Sequence, residues 1–371
     1  MDDDFPILPP ESIRNILKRL PVKSLMRFQC VCRGWRTLFK TESFIADHLD
    51  HSNHQNPCLL MKDFDINEDF SNMHCLDSKM QVWEFQNPLL LSYVKQGKIL
   101  GSSNGLFCVQ IDKPDGSPHF LLVCNPAIRE VRLVPETNIR KDHWNHLVGF
   151  GFSPIINDYK IVIAYSSFDH ANVSIVKVYS LSSGSWKEEK KFRLNDTGGG
   201  VSSSGVTVNG VMFWWGYKTV GEVDGKNLIV SFDLAVEVFT VTPTPQLHEH
   251  VDFTVYEEKL AILSSIQDST HSLIDLWVME EGVGASGEIW VWTKKYSIDI
   301  YPRFLSPRTI WRNEIVGYSL GERESTVVFL NLTTKKTWKF AIGKFACKEW
   351  IFNYAESLVP VGGMKSSTIF L

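Results

Sequence analysis

Residues 101–105 read Gly-Ser-Ser-Asn-Gly and have the G-x-S-x-G spacing of a serine hydrolase nucleophile. In that chemistry the serine, here Ser103, attacks a carbonyl carbon from a sharp turn between a strand and a helix. The stretch that follows, residues 106–110, consists of strand-forming types, so the required helix is not predicted. We therefore expect Ser103 to lie in a turn and predict that the chain is not an enzyme of this class.

Histidines and cysteines recur at short spacings in the first part of the chain, as metal ligands do. His48, His51 and His54 are three residues apart, but on a helix they would spread too far around the axis for one ion. We expect them on a solvated polar face within a linker. Cys30 and Cys32 lack a second Cys or His pair at zinc-finger spacing, so a core or interface role is favoured. The sequence thus predicts no metal site and no cofactor.

The composition is that of a globular protein of 371 residues with a formal net charge of −4. This balance disfavours a surface built to bind nucleic acid. No apolar run reaches the roughly 20 residues that span a bilayer, so no membrane segment is predicted. The acidic N-terminus does not look like a secretion signal, and seven scattered cysteines suit a reducing compartment. We expect a cytoplasmic or nuclear protein with free, mostly buried thiols.

The elements that position these residues change in type near residue 50. Residues 9–48 have helical apolar spacing, with Pro9-Pro10 at a helix start and Pro21 ending the first helix. Further helical stretches are expected around Leu25, around Trp35 and, as a fourth, around Ile45. We predict a helical domain over residues 1–48, a polar linker over 49–57 and a β domain over 58–371.

The helical domain is too small to bury all of its large apolar side chains. Domains of about 40 residues rarely reach more than about 3–5 kcal/mol of stability alone. Some of these side chains should therefore form an exposed apolar patch for a partner. Residues 14–40 hold eight basic residues and no acid, which favours an acidic partner. A DNA-binding helix-turn-helix is the alternative, but the charges are spread around the helices instead of along one recognition helix.

The β region contains an internal repeat of about 50 residues. Five units have a strand-like run, a small polar residue, a turn and an aromatic or β-branched residue, anchored at positions 77, 125, 180, 233 and 331. A sixth, degenerate copy with a Gly-rich insertion is anchored at Met279 and runs to Trp292. A second strand-like run lies between successive units. Four strands per repeat are typical of propeller blades, and six units fit a closed ring, with residues 367–371 completing the first or last blade. A β-sandwich is the alternative. The predicted fold is mainly β, a three-helix domain followed by a six-bladed β-propeller.

The N-terminal residues resemble a known family, the F-box. The resemblance rests on Leu-Pro-Pro-Glu-Ser-Ile at 8–13, Leu-Pro-Val-Lys-Ser-Leu at 20–25 and Val-Cys-Arg-Gly-Trp at 31–35. Gly34 stands where the family commonly has Lys or Arg. The resemblance implies binding to the Skp-type adaptor protein of Skp–cullin–F-box ubiquitin ligases, and through it to the cullin. The adaptor-binding residues so implied are Leu8, Pro9, Ile13, Leu20, Pro21, Val22, Leu25, Phe28, Val31, Cys32 and Trp35.

The β region is similar to the F-box-associated, kelch-like region of plant F-box proteins, a group that includes the S-locus F-box proteins. Residues 125–130, 149–153 and 276–279 carry part of this resemblance as Asn-Pro-Ala-Ile-Arg-Glu, Gly-Phe-Gly-Phe-Ser and Leu-Trp-Val-Met. It implies a non-catalytic receptor that recruits a target protein for ubiquitination and degradation. A stand-alone interaction module and a propeller enzyme are the alternatives.

Long polar segments on one rim of the ring are the expected contacts to the target. They cover residues 138–146, 195–204, 217–226 and 244–250. The side chains that we single out for target binding are His143, Trp144, His146 and Tyr217.

Overall fold

The computed structural model describes residues 8–64, 71–84, 97–111, 120–136, 147–167, 170–192, 201–220, 223–267, 271–284, 287–300, 305–319, 325–343, 346–362 and 364–365. It contains a small helical region at the N-terminus and a six-bladed β-propeller. The predicted fold is thereby confirmed.

Four helices form the N-terminal region: α1 (Pro10–Leu17), α2 (Val22–Phe28), α3 (Arg33–Leu38) and α4 (Glu42–Gln55). Pro10 and Pro21 stand at helix starts, where the missing proline N–H leaves no bond unmade. The hydroxyl of Thr41 accepts the N–H of Phe44 and so caps α4. Helix α4 continues through most of the predicted linker, residues 49–57, and ends at Gln55.

The structure corrects two expectations about this region. His48 was expected on a solvated face, but it is buried, and its Nε2 lies 3.0 Å from the carbonyl oxygen of Leu20. Helix α4 packs against the first three helices, so one of its histidines points inward. Cys32 was expected in the core or at an interface, and the structure places it, exposed, at the start of a helix. Helix α2 ends at Phe28, and Cys32 instead caps α3 by accepting the N–H of Trp35.

Six antiparallel sheets form the blades of the ring. Blades 1 to 3 contain, in chain order, β1 (Cys58–Phe64), β2 (Ser71–Leu76), β3 (Val82–Glu84); β4 (Lys98–Ser103), β5 (Leu106–Ile111), β6 (Phe120–Asn125), β7 (Glu130–Leu133); β8 (Leu147–Ser153), β9 (Asp158–Ser167), β10 (His170–Ser180), β11 (Ser185–Trp186) and β12 (Lys190–Phe192).

Blades 4 to 6 contain β13 (Val201–Val208), β14 (Val211–Val220), β15 (Val223–Asp233), β16 (Val238–Pro243); β17 (His250–Tyr256), β18 (Lys259–Gln267), β19 (Ser272–Gly284), β20 (Gly287–Ile300); β21 (Leu305–Trp311), β22 (Glu314–Ser319), β23 (Ser325–Asn331) and β24 (Thr337–Gly343). Residues 217–226 were expected to be an irregular loop, but β14 runs to Val220 and β15 begins at Val223, and Tyr217 pairs with Asn227. Thr219, Val220 and Val223 are β-branched and favour strand pairing, which the polar composition of the segment did not indicate.

The chain end closes the ring at two places. Strand β25 (Ala346–Tyr354) pairs with β1 as the innermost strand of blade 1, and β26 (Met364–Lys365) pairs with β7 at the edge of blade 2. Residues 367–371, which were expected to complete a blade, lie outside the described residues. The closing strands therefore come from just before that segment.

The repeat anchors explain the turn between the last two strands of a blade. The side-chain oxygens of Asp77, Asn125, Ser180, Asp233 and Asn331 each accept backbone N–H groups two to four residues farther on. This local bonding fixes a tight turn at five of the six anchors. At the sixth anchor, Met279, strand β19 continues to Gly284, and Met279 pairs with Trp292 within a longer hairpin.

Candidate functional site

The helical region and the propeller share one apolar core. Leu17, Val22, Leu25, Phe39 and Phe44 are buried together with Leu358, which follows β25. Ala127 and Ile128, in the turn between β6 and β7, pack on the same cluster. The face of the propeller that carries the turns at the repeat anchors is therefore the face that the helices cover.

The structure divides the predicted adaptor-binding residues by exposure. Leu8, Pro9, Pro21, Val31 and Cys32 are exposed, whereas Ile13, Leu20, Phe28 and Trp35 are half-buried against the helical core. Leu8 exposes 51% of its surface and Val31 exposes 62%. Ile16, which the sequence analysis did not include in this set, exposes 50%. Its place on the solvent side of α1 becomes clear only from the packing of the helix.

Val22 and Leu25 require a correction. Both side chains are completely buried in the core of the helical region and have no surface that a partner could contact. They face inward because α2 packs against α4 and against Leu358. In this structure they support the exposed residues and do not belong to the surface.

The charge of the helical region lies on its outside. Arg19, Lys23, Arg27, Arg33, Arg36 and Lys40 are exposed. Arg14 is held instead by Asp47 at 2.7 Å and lies over the ring of Phe44. The helical region thus carries exposed positive charge as well as exposed apolar side chains, and this charge is available to an acidic partner.

The patterns that could have indicated catalysis or metal binding have other roles. Ser103 ends β4 and is followed by a turn at Asn104 and Gly105 and then by β5, so no helix follows the serine. The glycine of this motif at position 105 has a structural role in the turn: its φ is 77°, and a Cβ on it would lie 2.5 Å from the carbonyl oxygen of Ala355. Across the described ranges, no group of three or more His, Cys, Asp and Glu residues could hold a metal ion.

Only part of the predicted target-binding rim can be located. His143, Trp144 and His146 lie outside the described residues, and of Tyr217 the structure describes the backbone on β14. Residues 244–250 connect blade 4 to blade 5 on the face opposite the helices. There, His248 donates its backbone N–H to Ser264 Oγ, and its Nε2 lies 3.1 Å from Asp275 Oδ2.

In the part of the chain that the structure covers, no helix is both long enough and apolar enough to cross a bilayer.

Comparison with known proteins agrees with this architecture. The family profile of the F-box domain matches residues 5–47, and that of the F-box associated beta propeller domain matches residues 58–361. An F-box/kelch-repeat protein of Arabidopsis thaliana is 26% identical over 310 residues, which cover 81% of this chain and 82% of that protein. Another Arabidopsis thaliana protein, also named for an F-box, is 27% identical over 248 residues, covering 66% of this chain and 62% of that protein.

Among solved structures, TolB from Acinetobacter baumannii aligns with a TM-score of 0.48 at 9% identity, covering 78% of this chain and 65% of that chain. The propeller profile spans most of the chain, and the F-box profile lies directly before it. The chain therefore belongs to the plant family of F-box proteins whose C-terminal part is an F-box associated β-propeller domain.

Proposed function

We propose that this protein is a non-catalytic substrate receptor of a Skp–cullin–F-box ubiquitin ligase. The observation that carries the proposal is the F-box profile match over residues 5–47, within which Leu8, Ile16 and Val31 each expose at least half of their surface. Exposed apolar side chains in a region that also carries exposed arginines and lysines suit a protein partner with apolar and acidic groups. We call these three residues the adaptor face.

The division of labour follows from the two parts of the chain. The helices would bind the Skp-type adaptor, which links them to the cullin, and the propeller would bind the target protein. The target would thereby be held at high effective concentration near the ubiquitin-carrying enzyme of the ligase. We place target binding on the propeller face opposite the helices, to which residues 244–250 belong. Such a receptor would act in the cytoplasm or the nucleus.

Binding to the purified adaptor tests the proposal. Val31→Glu and Ile16→Glu place a charge on the adaptor face without touching the buried core, so we expect each to weaken binding at least about tenfold. Ile155→Glu is the matched control, because Ile155 exposes 77% of its surface in the turn between β8 and β9 of the propeller. This control should bind as the unchanged protein does.

Two results would reject the role. The first is an intact, folded chain that does not bind the adaptor, which would favour a stand-alone interaction module. The second is equal loss of adaptor binding in Val31→Glu and Ile155→Glu, since that would indicate a non-specific effect of the added charge. Changes at Val22 or Leu25 are unsuitable as tests, because a charge at either position would disrupt the core.

A further inference from the structure

The centre of the propeller contains a cavity of about 520 Å³. All six innermost strands, β4, β8, β13, β17, β21 and β25, contribute to its wall. Cavities of roughly 300–1,000 Å³ are large enough for small ligands or for an inserted side chain. The cavity therefore has the size of a binding site, and its chemistry depends on which polar groups face it.

Two charged residues line this cavity, Asp252 on β17 and Arg308 on β21. Arg308 Nη1 lies 3.3 Å from Asp252 Oδ2, and each side chain keeps 37% of its surface exposed. Removal from water raises the pKa of Asp252 to about 6, against the opposite effect of Arg308. The pair therefore has little net charge at neutral pH, and both side chains remain partly exposed.

The pair has unused hydrogen-bonding capacity. Among the described residues, Arg308 makes one side-chain hydrogen bond, through Nη1, and its buried Nε has no partner. A guanidinium carries five N–H groups, and a carboxylate accepts at two oxygens. Asp252 accepts at Oδ2 from this arginine, which leaves Oδ1 available. A donor and an acceptor thus stand side by side in the cavity.

Four other polar side chains of the wall join neighbouring blades. Thr207 Oγ1 donates to the carbonyl oxygen of Phe150, Thr254 and Thr309 share a hydrogen bond, and Asn353 Nδ2 donates to Ile310. The remaining wall includes aromatic rings, among them Trp215 and Phe253, which stack with centroids 4.2 Å apart. Because Asp252 and Arg308 are the charged residues among the described lining residues, they should make the strongest hydrogen bonds to a polar ligand.

The geometry points to a binding site for a neutral ligand that carries a planar amide, with its oxygen on Arg308 and its N–H on Asp252. A carboxylate would meet the charge of Asp252, and an ammonium group would meet that of Arg308. An amide satisfies both without adding charge, and hydrogen bonds to charged groups are the stronger ones. The amide belongs either to a free small molecule or to an Asn or Gln side chain of a bound peptide.

The test uses the full chain and three probes of equal carbon length: glutaramide, glutarate and 1,5-diaminopentane. We expect calorimetric titration to show saturable binding of glutaramide and at least about tenfold weaker binding of the two charged probes. Asp252→Asn and Arg308→Gln should each weaken glutaramide binding about tenfold, because each removes a charge-assisted hydrogen bond. Asp299→Asn and Arg27→Gln are controls outside the cavity and should bind unchanged.

The proposal is overturned if glutaramide does not bind, if either charged probe binds more tightly, or if the cavity variants bind as the controls do. Thermal unfolding checks that the variants fold. If Arg308→Gln does not fold, Arg308→Lys replaces it, because lysine keeps the positive charge but lacks the planar guanidinium. A capped pentapeptide with a central glutamine distinguishes a peptide ligand from a free small molecule as the source of the amide. Tighter binding of the peptide than of glutaramide indicates a peptide ligand, and the reverse indicates a free small molecule. Neither result depends on adaptor binding.

Discussion

The carboxylate of Glu356 accepts a hydrogen bond from the backbone N–H of Val22, with an Oε2–N distance of 3.0 Å. Val22 is the first residue of α2, whose N–H has no partner within the helix. Glu356 lies two residues after the end of β25, the innermost strand of blade 1. The segment that follows the ring-closing strand therefore caps a helix of the F-box region. Two residues farther on, Leu358 enters the helical core. The F-box region is thus completed by the end of the propeller.

We expect Glu356→Ala to lower the free energy of unfolding by about 1–3 kcal/mol, because the N–H of Val22 loses its partner in a half-buried place. Glu356→Gln keeps an acceptor oxygen and should have a much smaller effect. Burial raises the pKa of Glu356, and the neutral glutamine avoids the cost that burial places on the carboxylate. Chemical denaturation at pH 7 measures both. Glu11→Ala, at an exposed position in the first turn of α1, is the control. Equal stability of the Ala and Gln variants at position 356 would contradict the assigned bond.

Leu358→Ala should loosen the helices more than the propeller. The side chain is 6% exposed and packs among apolar residues of α1, α2 and α4. Loss of a buried leucine costs about 2–5 kcal/mol, depending on how far the cavity collapses. Hydrogen exchange should therefore become faster in α1 and α2, and adaptor binding should weaken, while blade 4 keeps its protection. Leu133→Ala, at a position that is 61% exposed, should change neither. Unchanged exchange in the helices would show that the chain end does not support them.

The blades were predictable because their signals are local. Asp233, for example, accepts the N–H groups of Ala235 and Val236. At five of the six anchors, a small polar residue bonds in this way to residues only a few positions farther along the chain and so marks the turn in the sequence. The helix starts at Pro10 and Pro21 follow from the same kind of local restriction. Such features leave a repeated pattern in the sequence, and the pattern specified the six-bladed ring.

The contacts between distant parts of the chain were not predictable. Glu356 and Val22 are 334 residues apart, and nothing in the local sequence of either position marks the other as its partner. For the same reason the sequence could not show that Val22 faces inward while Ile16 faces outward. Both are apolar residues at helical spacing, and the choice between core and surface is made by the elements that pack on them. The pairing of Asp252 with Arg308 depends likewise on the closure of the ring.

Glu237 should be among the acidic residues that contribute most to stability, because it binds a buried lysine of the neighbouring blade 3. Its carboxylate lies 2.8 Å from Lys160 Nζ, which is 3% exposed, and also contacts Lys187 and Lys190. Glu237→Ala leaves Lys160 with the carbonyl oxygen of Leu234 alone, and breaking a buried pair in this way costs about 3–5 kcal/mol. Lys187→Ala, which removes a half-exposed partner, should cost less than about 1 kcal/mol. Similar losses in the two variants, measured by urea unfolding, would contradict the central role of Lys160.

Glu237 and its three lysines also make the stability of the protein depend on pH. The three lysines lower the pKa of Glu237 to about 2, against a usual value of 4.5, although burial acts in the opposite direction. Between these values the unfolded chain binds more protons than the folded one, so the contribution of Glu237 is present above pH 4.5 and lost as the pH falls towards 2. Unfolding of Glu237→Gln should therefore depend less on pH in this range.

Gly149 should tolerate no larger side chain, although its backbone is ordinary β-strand. A Cβ at this position would lie 2.5 Å from Trp214 Cζ2 and 2.7 Å from Met212 Sδ. Trp214 is completely buried, and its Nε1 donates to the carbonyl oxygen of Val148, so the ring cannot move aside. The glycine therefore allows blades 3 and 4 to approach each other closely. We expect Gly149→Ala to destabilise the propeller by about 1–3 kcal/mol through overpacking.

Gly34→Ala is the matched control for this prediction. The nearest atom to a Cβ there is Cys32 Sγ at 3.8 Å, an ordinary contact, and the residue is exposed in α3. Because alanine favours the helix over glycine by up to about 1 kcal/mol, this variant should be as stable as the unchanged protein or more stable. Thermal unfolding of the two variants side by side separates the loss of space from the loss of a glycine. If Gly149→Ala unfolds at the same temperature as Gly34→Ala, the close approach of Trp214 does not explain the Gly-Phe-Gly-Phe segment.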